Sequence, residues 1–329
     1  MGAYHAGSLA VQELMGVRER ADHVGRSLGQ DIKPIAAAFL ELQPLLVVGA
    51  ADPETGRMWA SALTGTPGFV RATGPRQMSV VADPGQRLDS QPEGARGCVG
   101  SAATAAWARA TTPDLHVNDG LTDPLATALK TPGTRIATIA LDPRTRRRMR
   151  LNGRLRPTAR GFAVEADQVF SNCPKYIQRR EGYETVDRTP GEPRWGSELS
   201  SQQREFIESA DTFFLATAHP GGADVSHRGG NPGFVQVVSP RELTWPDYAG
   251  NAMFLTLGNL RTDPRAGLLF LDWTTGTVLQ LTGEAHTEFS ADGERTVRFT
   301  VAEAVETPAA LPLRWSAPEY SPANPDIAR

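Results

Sequence analysis

Apolar residues fall mostly in short runs bounded by Gly, Pro and charged positions, which predicts many short strands and few helices. LLVVGAAD (45–52) reads as a buried strand entering a turn, and RMWASALTG (57–65) as a second strand. GFVRATGPRQMSVV (68–81) reads as a hairpin turning at Thr73, Gly74 and Pro75. Ahead of these, Val11, Leu14 and Met15 recur at helical spacing, with Ser8 as the expected N-cap. A second helix is expected from Pro34, with Ile35, Ala38, Phe39 and Leu42 along one face.

The second half of the chain repeats this order. Ser200 and Gln203 form a capping-box pattern ahead of Phe206, Ile207 and Ala210. FFLATAHPGG, ADVSHRGG and GFVQVVSPRELTW then predict strand, strand and hairpin. NAMFLTLGNL predicts a short helix stopped at Asp263-Pro264, and GLLFLDW, TVLQLTGEAHTEF and RTVRFTVAEAV supply three further strands. One phrase makes the repeat explicit. VSHRGGNPGFV (225–235) matches ASALTGTPGFV (60–70) at six of eleven positions, but His227 and Arg228 stand where the first copy has Ala62 and Leu63.

Register fixes the rest of the organisation. Asp142 and Asp272 each close an apolar strand, and their spacing is shorter than that of the two PGFV phrases. The first copy therefore holds roughly 35 extra residues, assigned to 83–124, a stretch with the small-residue helix SAATAAWARA and a loop through His116. The expected domains are 1–180 (helices and a degenerate first barrel), 181–199 (a polar linker), 200–307 (a second barrel) and 308–329 (a Pro-rich tail). The expected fold is mainly β with flanking helices, two small barrels packed together within one chain.

Composition adds exclusions. A net charge of −3 over 329 residues argues against a nucleic-acid binder that works by bulk electrostatics. No apolar run is long enough to span a membrane. Two cysteines, Cys98 and Cys173, form no CxxC pair, and the histidines His5, His23, His116, His219 and His286 show no metal-ligand spacing. The expected address is the cytoplasm. Three lysines against 31 arginines lower the weight of any one Arg and raise that of Lys175.

YHAGSLAVQ (4–12), GRMWASALTGTPGFV (56–70), NCPKYIQRR (172–180) and VSHRGGNPGFV with LGNLRTDPRAGLLFLDW (257–273) together carry a resemblance. The chain resembles the pyridoxamine 5′-phosphate oxidase-like FMN-binding split-barrel proteins. The resemblance implies FMN in a groove between two barrels, here tandem copies that form an intramolecular barrel pair, with a homodimer of the chain also open. It implies a flavin-dependent oxidoreductase that passes hydride through flavin N5 to or from a small molecule. A separate NAD(P)H-linked reductase would supply electrons. Deazaflavin suits the same groove, and a non-catalytic flavin- or haem-binding protein is the alternative, with His227 or His286 as axial ligand.

For such a ligand, Ser226 and Arg228 are candidate donors, Gly229, Gly230 and Asn231 a turn for close backbone approach, and His227 a catalytic group titrating near neutrality. Strand alternation puts Ser226 and Arg228 on one side and His227 on the other. The same residues also suit a strand ending in a solvated Gly-rich turn. Lys175, Tyr176 and Arg179 are candidate phosphate or ring contacts, with Lys175 and Arg179 as i, i+4 neighbours if helical. A solvated helix is equally open, and Cys173 is expected to be small and buried. Thr256 and Asn259 match the family's phosphate region, although several relatives carry Lys or Arg in place of Thr256. Gln280 and Thr282 alternate inward toward the flavin. RTRRRMR (144–150) reads as a solvated edge strand or as an anion contact. Only Arg314 and Arg329 lie in the Pro-rich end, so true pyridoxamine phosphate oxidation is not expected.

Overall fold

The computed structural model describes residues 3–81, 123–171 and 173–326. The SAATAAWARA helix, His116, Cys98 and Arg329 lie outside these residues. Three short helices open the chain: α1 (Ala6–Leu14), α2 (Arg18–Gly25) and α3 (Pro34–Glu41). The first strand set is β1 (Leu45–Ala51), β2 (Met58–Thr64), β3 (Val70–Gly74), β4 (Gln77–Val81), β5 (Arg135–Asp142), β6 (Arg147–Thr158) and β7 (Gly161–Ser171). Three short strands follow, β8 (Arg179–Arg180), β9 (Tyr183–Thr185) and β10 (Arg194–Gly196), and then α4 (Ser201–Ser209). The second set is β11 (Thr212–His219), β12 (Gly222–Gly229), β13 (Gln236–Ser239), β14 (Glu242–Pro246), α5 (Leu255–Thr262), β15 (Arg265–Leu271), β16 (Val278–Phe289) and β17 (Arg295–Thr307). The chain ends with β18 (Leu313–Trp315) and β19 (Pro318–Glu319).

The two large sheets are antiparallel and share one strand order. The first runs β2-β1-β5-β6-β7-β4-β3 and the second β12-β11-β15-β16-β17-β14-β13. The fold is thus mainly β, built as tandem split barrels. Both copies shift register at the same place, opposite Asn152 and Gly153 of β6 and opposite Thr282 and Gly283 of β16, where β7 and β17 each carry one extra residue, Asp167 and Ala302. A Cβ on either glycine would stand 1.9 Å from the carbonyl oxygen of Glu165 or Thr300 on the next strand. Glycine is therefore required where the long strand bends across its neighbour.

Of four apolar cores, one seats the N-terminal helices around Tyr4, Phe170 and Met253, and three explain the packing of the barrels. One fills the first barrel around Phe69, Met78 and Phe162, and another fills the second around Phe213, Trp245 and Phe299. The third lies between them, where Val47, Ala60 and Ile139 meet Phe214, Val225 and Leu269. β1, β2 and β5 are therefore buried on both faces, which is why LLVVGAA is a continuous apolar run rather than an alternating one.

Several local expectations change. His5, not Ser8, caps α1, its Nδ1 accepting from the Gly7 N–H at 3.2 Å. Ser8 is buried inside the helix instead. On α3, Ile35 and Leu42 are exposed and Leu40 is the buried residue. The capping box of α4 forms as the sequence predicts, and Pro34 opens α3.

CPKYIQRR (173–180) is not helical. It is a turn leading into β8, and Tyr176 adopts a φ of 67°. The tail runs back along this region: β19 pairs with β8 and β18 with β9. A buried ion pair between Arg180 and Asp211 (2.8 Å) lies beside the face of Trp273, so both belong to this junction and not to a ligand site. Among the described residues, no helix is long and apolar enough to cross a membrane, and no cluster of His, Cys, Asp or Glu could hold a metal.

Candidate functional site

A cavity of about 340 Å³ opens where β6 of the first sheet faces the end of β12 and the start of α5 in the second. It exists because the two barrels pack with these elements side by side. Seven of the sequence-predicted residues line it: Ser226, His227, Arg228 and Gly229 on β12, Thr256 on α5, and Lys175 and Tyr176 on the turn before β8. Two more cations enter from the first barrel, Arg148 and Arg150. The RTRRRMR run is therefore not a solvated edge. β6 lies between β5 and β7, so its alternate side chains point into the interbarrel space.

The buried polar contacts form one connected set. Arg150 forms an ion pair with Asp224. Asn152 Nδ2 donates to the other oxygen of that carboxylate at 3.2 Å. Thr256 Oγ1 stands 3.3 Å from Asp224 Oδ2 and 3.2 Å from Ser226 Oγ. Arg228 is held on its far side by Asp247 at 3.4 Å, and Asp247 is in turn anchored by Arg295 at 3.0 Å. Both carboxylates are thus engaged by guanidinium groups, Asp224 behind the wall and Asp247 within the lining itself.

The electrostatics are strongly cationic. Burial, with Arg150 and Arg228 alongside, depresses Arg148 to about 9. Burial, with Arg148 and Arg228 alongside, pushes His227 well below the usual imidazole range. His227 is therefore neutral at physiological pH, which corrects the expectation that it titrates near neutrality. Two donor nitrogens in this wall, Nε2 of His227 and Nε of Arg228, are buried without a protein partner. An unpartnered buried donor is unfavourable by itself and well suited to a ligand oxygen.

Backbone strain concentrates here too. Among the described residues, five non-glycine residues have positive φ, and Tyr176, Ala252 and Phe254 of that set line the cavity. The rings of Tyr176 and Tyr248 lie 5.1 Å apart, giving the cavity an aromatic wall. Gly229 has a steric reason: a Cβ there would meet the Tyr176 carbonyl oxygen at 2.0 Å. Cys173 is exposed and lines the cavity, contrary to the small buried role expected of it.

The remaining sequence candidates lie elsewhere. Gly230 is buried at the following turn, its carbonyl accepting from Gln178. Asn231 bonds to the tail through Pro325 and Asn324. Arg179 is paired with Glu319 at 2.9 Å, because its segment is a strand and not the helix that would set it beside Lys175. Asn259 donates to Thr217 at 2.9 Å. Thr282 is buried on β16 beside the β17 bulge. Gln280 donates to the Ala60 carbonyl at 3.0 Å and the Ser61 hydroxyl at 2.9 Å. His286 is exposed beside Glu284, away from the cavity.

Gln280 also explains the asymmetry of the two copies. By strand register it occupies the position of Arg150, and Trp59 that of Asp224. The mirror-related location is closed by the Gln280–Ser61 contact and by Asp123, which accepts from Ser61 at 2.8 Å. The sequence left Arg148 and Arg150 open between a solvated edge and an anion contact, because the cations that complete the second copy's site lie in the first copy.

Residues 199–325 match the family model described as pyridoxamine 5′-phosphate oxidase. No curated protein matches the sequence. Among solved structures, a candidate pyridoxamine 5′-phosphate oxidase from Lactobacillus delbrueckii is 15% identical, with a TM-score of 0.28, over 33% of this chain and 94% of that one. A FAD-binding protein from Mesorhizobium loti is 12% identical, with a TM-score of 0.27, over 35% and 97%. A pyridoxinephosphate oxidase family protein from Clostridium acetobutylicum is 12% identical, with a TM-score of 0.23, over 30% and 81%. The matched segment, residues 199–325, carries the β12 and α5 walls of the cavity and is what this chain shares with the pyridoxamine 5′-phosphate oxidase family.

Proposed function

We propose that the interbarrel cavity binds a flavin, specifically FMN, and that the chain is an FMN-dependent oxidoreductase acting on a small molecule. The observation that carries this reading is the donor-rich, cationic wall, whose lining carboxylate Asp247 is already paired with Arg228 and Arg295. Arg148, Arg228 and the neutral His227 present N–H groups, two of them unpartnered, beside the aromatic pair Tyr176 and Tyr248. That combination suits a planar heterocycle bearing a phosphate and several oxygens. The family match supports the same ligand class.

In this reading Arg148 and Arg228 hold the phosphate, with the hydroxyls of Ser226 and Thr256 beside them. Tyr176 and Tyr248 shape the ring end, and Lys175 stands at the same wall. When bound, the flavin supplies hydride transfer at N5. The chain's own residues supply position and positive potential. Arg314 does not extend this site, because it is exposed and paired with Glu184 at 3.0 Å. Oxidation of pyridoxamine phosphate itself is accordingly not proposed.

The test is the visible absorption spectrum of the purified protein after adding excess FMN and removing unbound dye. Flavin bands that persist in the wild type and vanish in Arg148→Ala with Arg228→Ala support the reading. A deazaflavin or haem spectrum, or no retained chromophore, would overturn FMN as the ligand. Anaerobic reduction by NAD(P)H, alone or through a separate reductase, separates an oxidoreductase from a flavin-storage protein.

A further inference from the structure

His227 is 6% exposed, and its two ring nitrogens have different surroundings. Nδ1 lies 3.4 Å from Nη1 of Arg148. A guanidinium has donors and no acceptor, so Nδ1 must be the acceptor in this contact. The ring proton of the neutral imidazole then sits on Nε2. Nε2 is the buried nitrogen without a protein partner, on a residue that lines the cavity.

The packing around the ring holds this arrangement. The Phe214 ring meets it edge-on, with centroids 6.0 Å apart. On the other side, Gly229 leaves room for Cε1, which a Cβ would approach to 2.9 Å. The charged groups facing the imidazole are Arg148 of β6 and Arg228 of its own strand, with Arg150 behind Arg148. Asp224, the nearest carboxylate on β12, is engaged by Arg150 and Asn152, and Asp247, which lines the same cavity, by Arg228 and Arg295. Cys173 and Lys175 approach the cavity from the turn. No carboxylate therefore reaches the ring to draw a second proton onto it.

We infer that Arg148 locks His227 as its Nε2–H tautomer, and that this N–H is a fixed hydrogen-bond donor to an oxygen of the bound ligand. His227 is then a positioning and specificity residue, selecting an acceptor atom, and not an acid–base group. The identity of the ligand rests on the flavin reading; the tautomer does not.

The experiment is long-range proton–nitrogen correlation NMR on protein labelled with ¹⁵N-histidine, from pH 5.5 to 8, with His227 assigned through His227→Gln. A single neutral ring protonated on Nε2, unchanged over this range, is the expected result. Arg148→Met should release the lock and give mixed tautomers or a titrating ring. Adding FMN should move the Nε2 resonance. His227→Phe, checked for folding by the same spectra, should weaken FMN by roughly 2- to 12-fold, the range for one neutral hydrogen bond. His227→Gln, which keeps an N–H donor, should recover most of that loss. An Nδ1–H ring, titration near neutrality, or wild-type FMN affinity in His227→Phe would overturn the inference. If the wild type takes up no FMN, the flavin reading fails while the free-protein spectra still decide the tautomer. Inorganic phosphate then replaces FMN as the probe, and an Nε2 resonance that it leaves unmoved overturns the donor role.

Discussion

The carboxylate of Asp224 on the second sheet meets the guanidinium of Arg150 on the first, with both side chains buried. Asn152, Thr256 and Ser226 complete the network around this pair. It ties β6, β12 and α5 together at the wall of the cavity, so one ion pair serves both the interbarrel junction and the site. Removing one member of a buried pair strands the other charge. Asp224→Ala should therefore lower the unfolding free energy by about 3–5 kcal/mol. Asp224→Leu combined with Arg150→Met, which strands no charge, should lose less than Asp224→Ala alone. Urea denaturation of the three proteins checks the order.

Gly229 ends β12 directly against the Tyr176 carbonyl. Gly229→Ala places a methyl where that oxygen sits, and a backbone atom cannot rotate away. The variant should lose about 2 kcal/mol or more, with the Tyr176 turn displaced from the cavity. A thermal midpoint unchanged from wild type would show that the turn yields freely.

The fold was largely legible because it rests on local pattern. Short apolar runs with Gly and Pro between them gave the strands of both sheets, and the substitution of Ala62 and Leu63 by His227 and Arg228 pointed to β12. What stayed undecided or was misplaced is non-local. Arg148 and Arg150 gain their meaning from Asp224 and His227, more than 70 residues away in the chain. In an Arg-rich sequence such a run looks like a solvated face. Lys175 and Arg179 were joined by a helical spacing that Pro174 and the left-handed backbone of Tyr176 deny. Gln280 does alternate inward, but toward Ser61 of the other barrel. Periodicity names the face of a strand; it does not name what is packed against it.

Stability should depend on pH through the rings of His5 and His219, stacked with centroids 4.2 Å apart and 7° between planes. Burial, the neighbouring His5 and Arg135 depress His219 to about 4, and burial chiefly depresses His5. Both rings are mostly neutral in the folded and unfolded chain once the pH is about one unit above the ordinary histidine value, so neither opposes folding there. As pH falls from 6.5 toward 4, the unfolded chain binds protons that the folded chain resists, and stability declines. Chemical denaturation at pH 7 and pH 4.5 should show that decline, reduced in His219→Gln. Because His5 caps α1, and Gln12 of α1 donates to the Met253 carbonyl at the cavity wall, the acid loss should begin at this corner. An equal decline in the variant would assign the effect to other groups.

Ligand-linked stability separates the residues that line the cavity from those that only adjoin it in sequence. A ligand that binds only the folded chain raises its stability by about 2.7 kcal/mol at a hundred times its Kd. Arg148 is buried among other guanidinium groups with its N–H donors toward the cavity wall. Losing one charge-assisted contact weakens an anion by about tenfold or more. At the same FMN concentration, Arg148→Met should therefore gain only about 1.4 kcal/mol. Arg179, exposed and paired with Glu319, belongs to the tail junction, so Arg179→Ala should keep the full gain. Unfolding curves with and without FMN give both numbers. A reduced gain in Arg179→Ala, with Arg148→Met unaffected, would move the anion site away from the barrel interface to the tail.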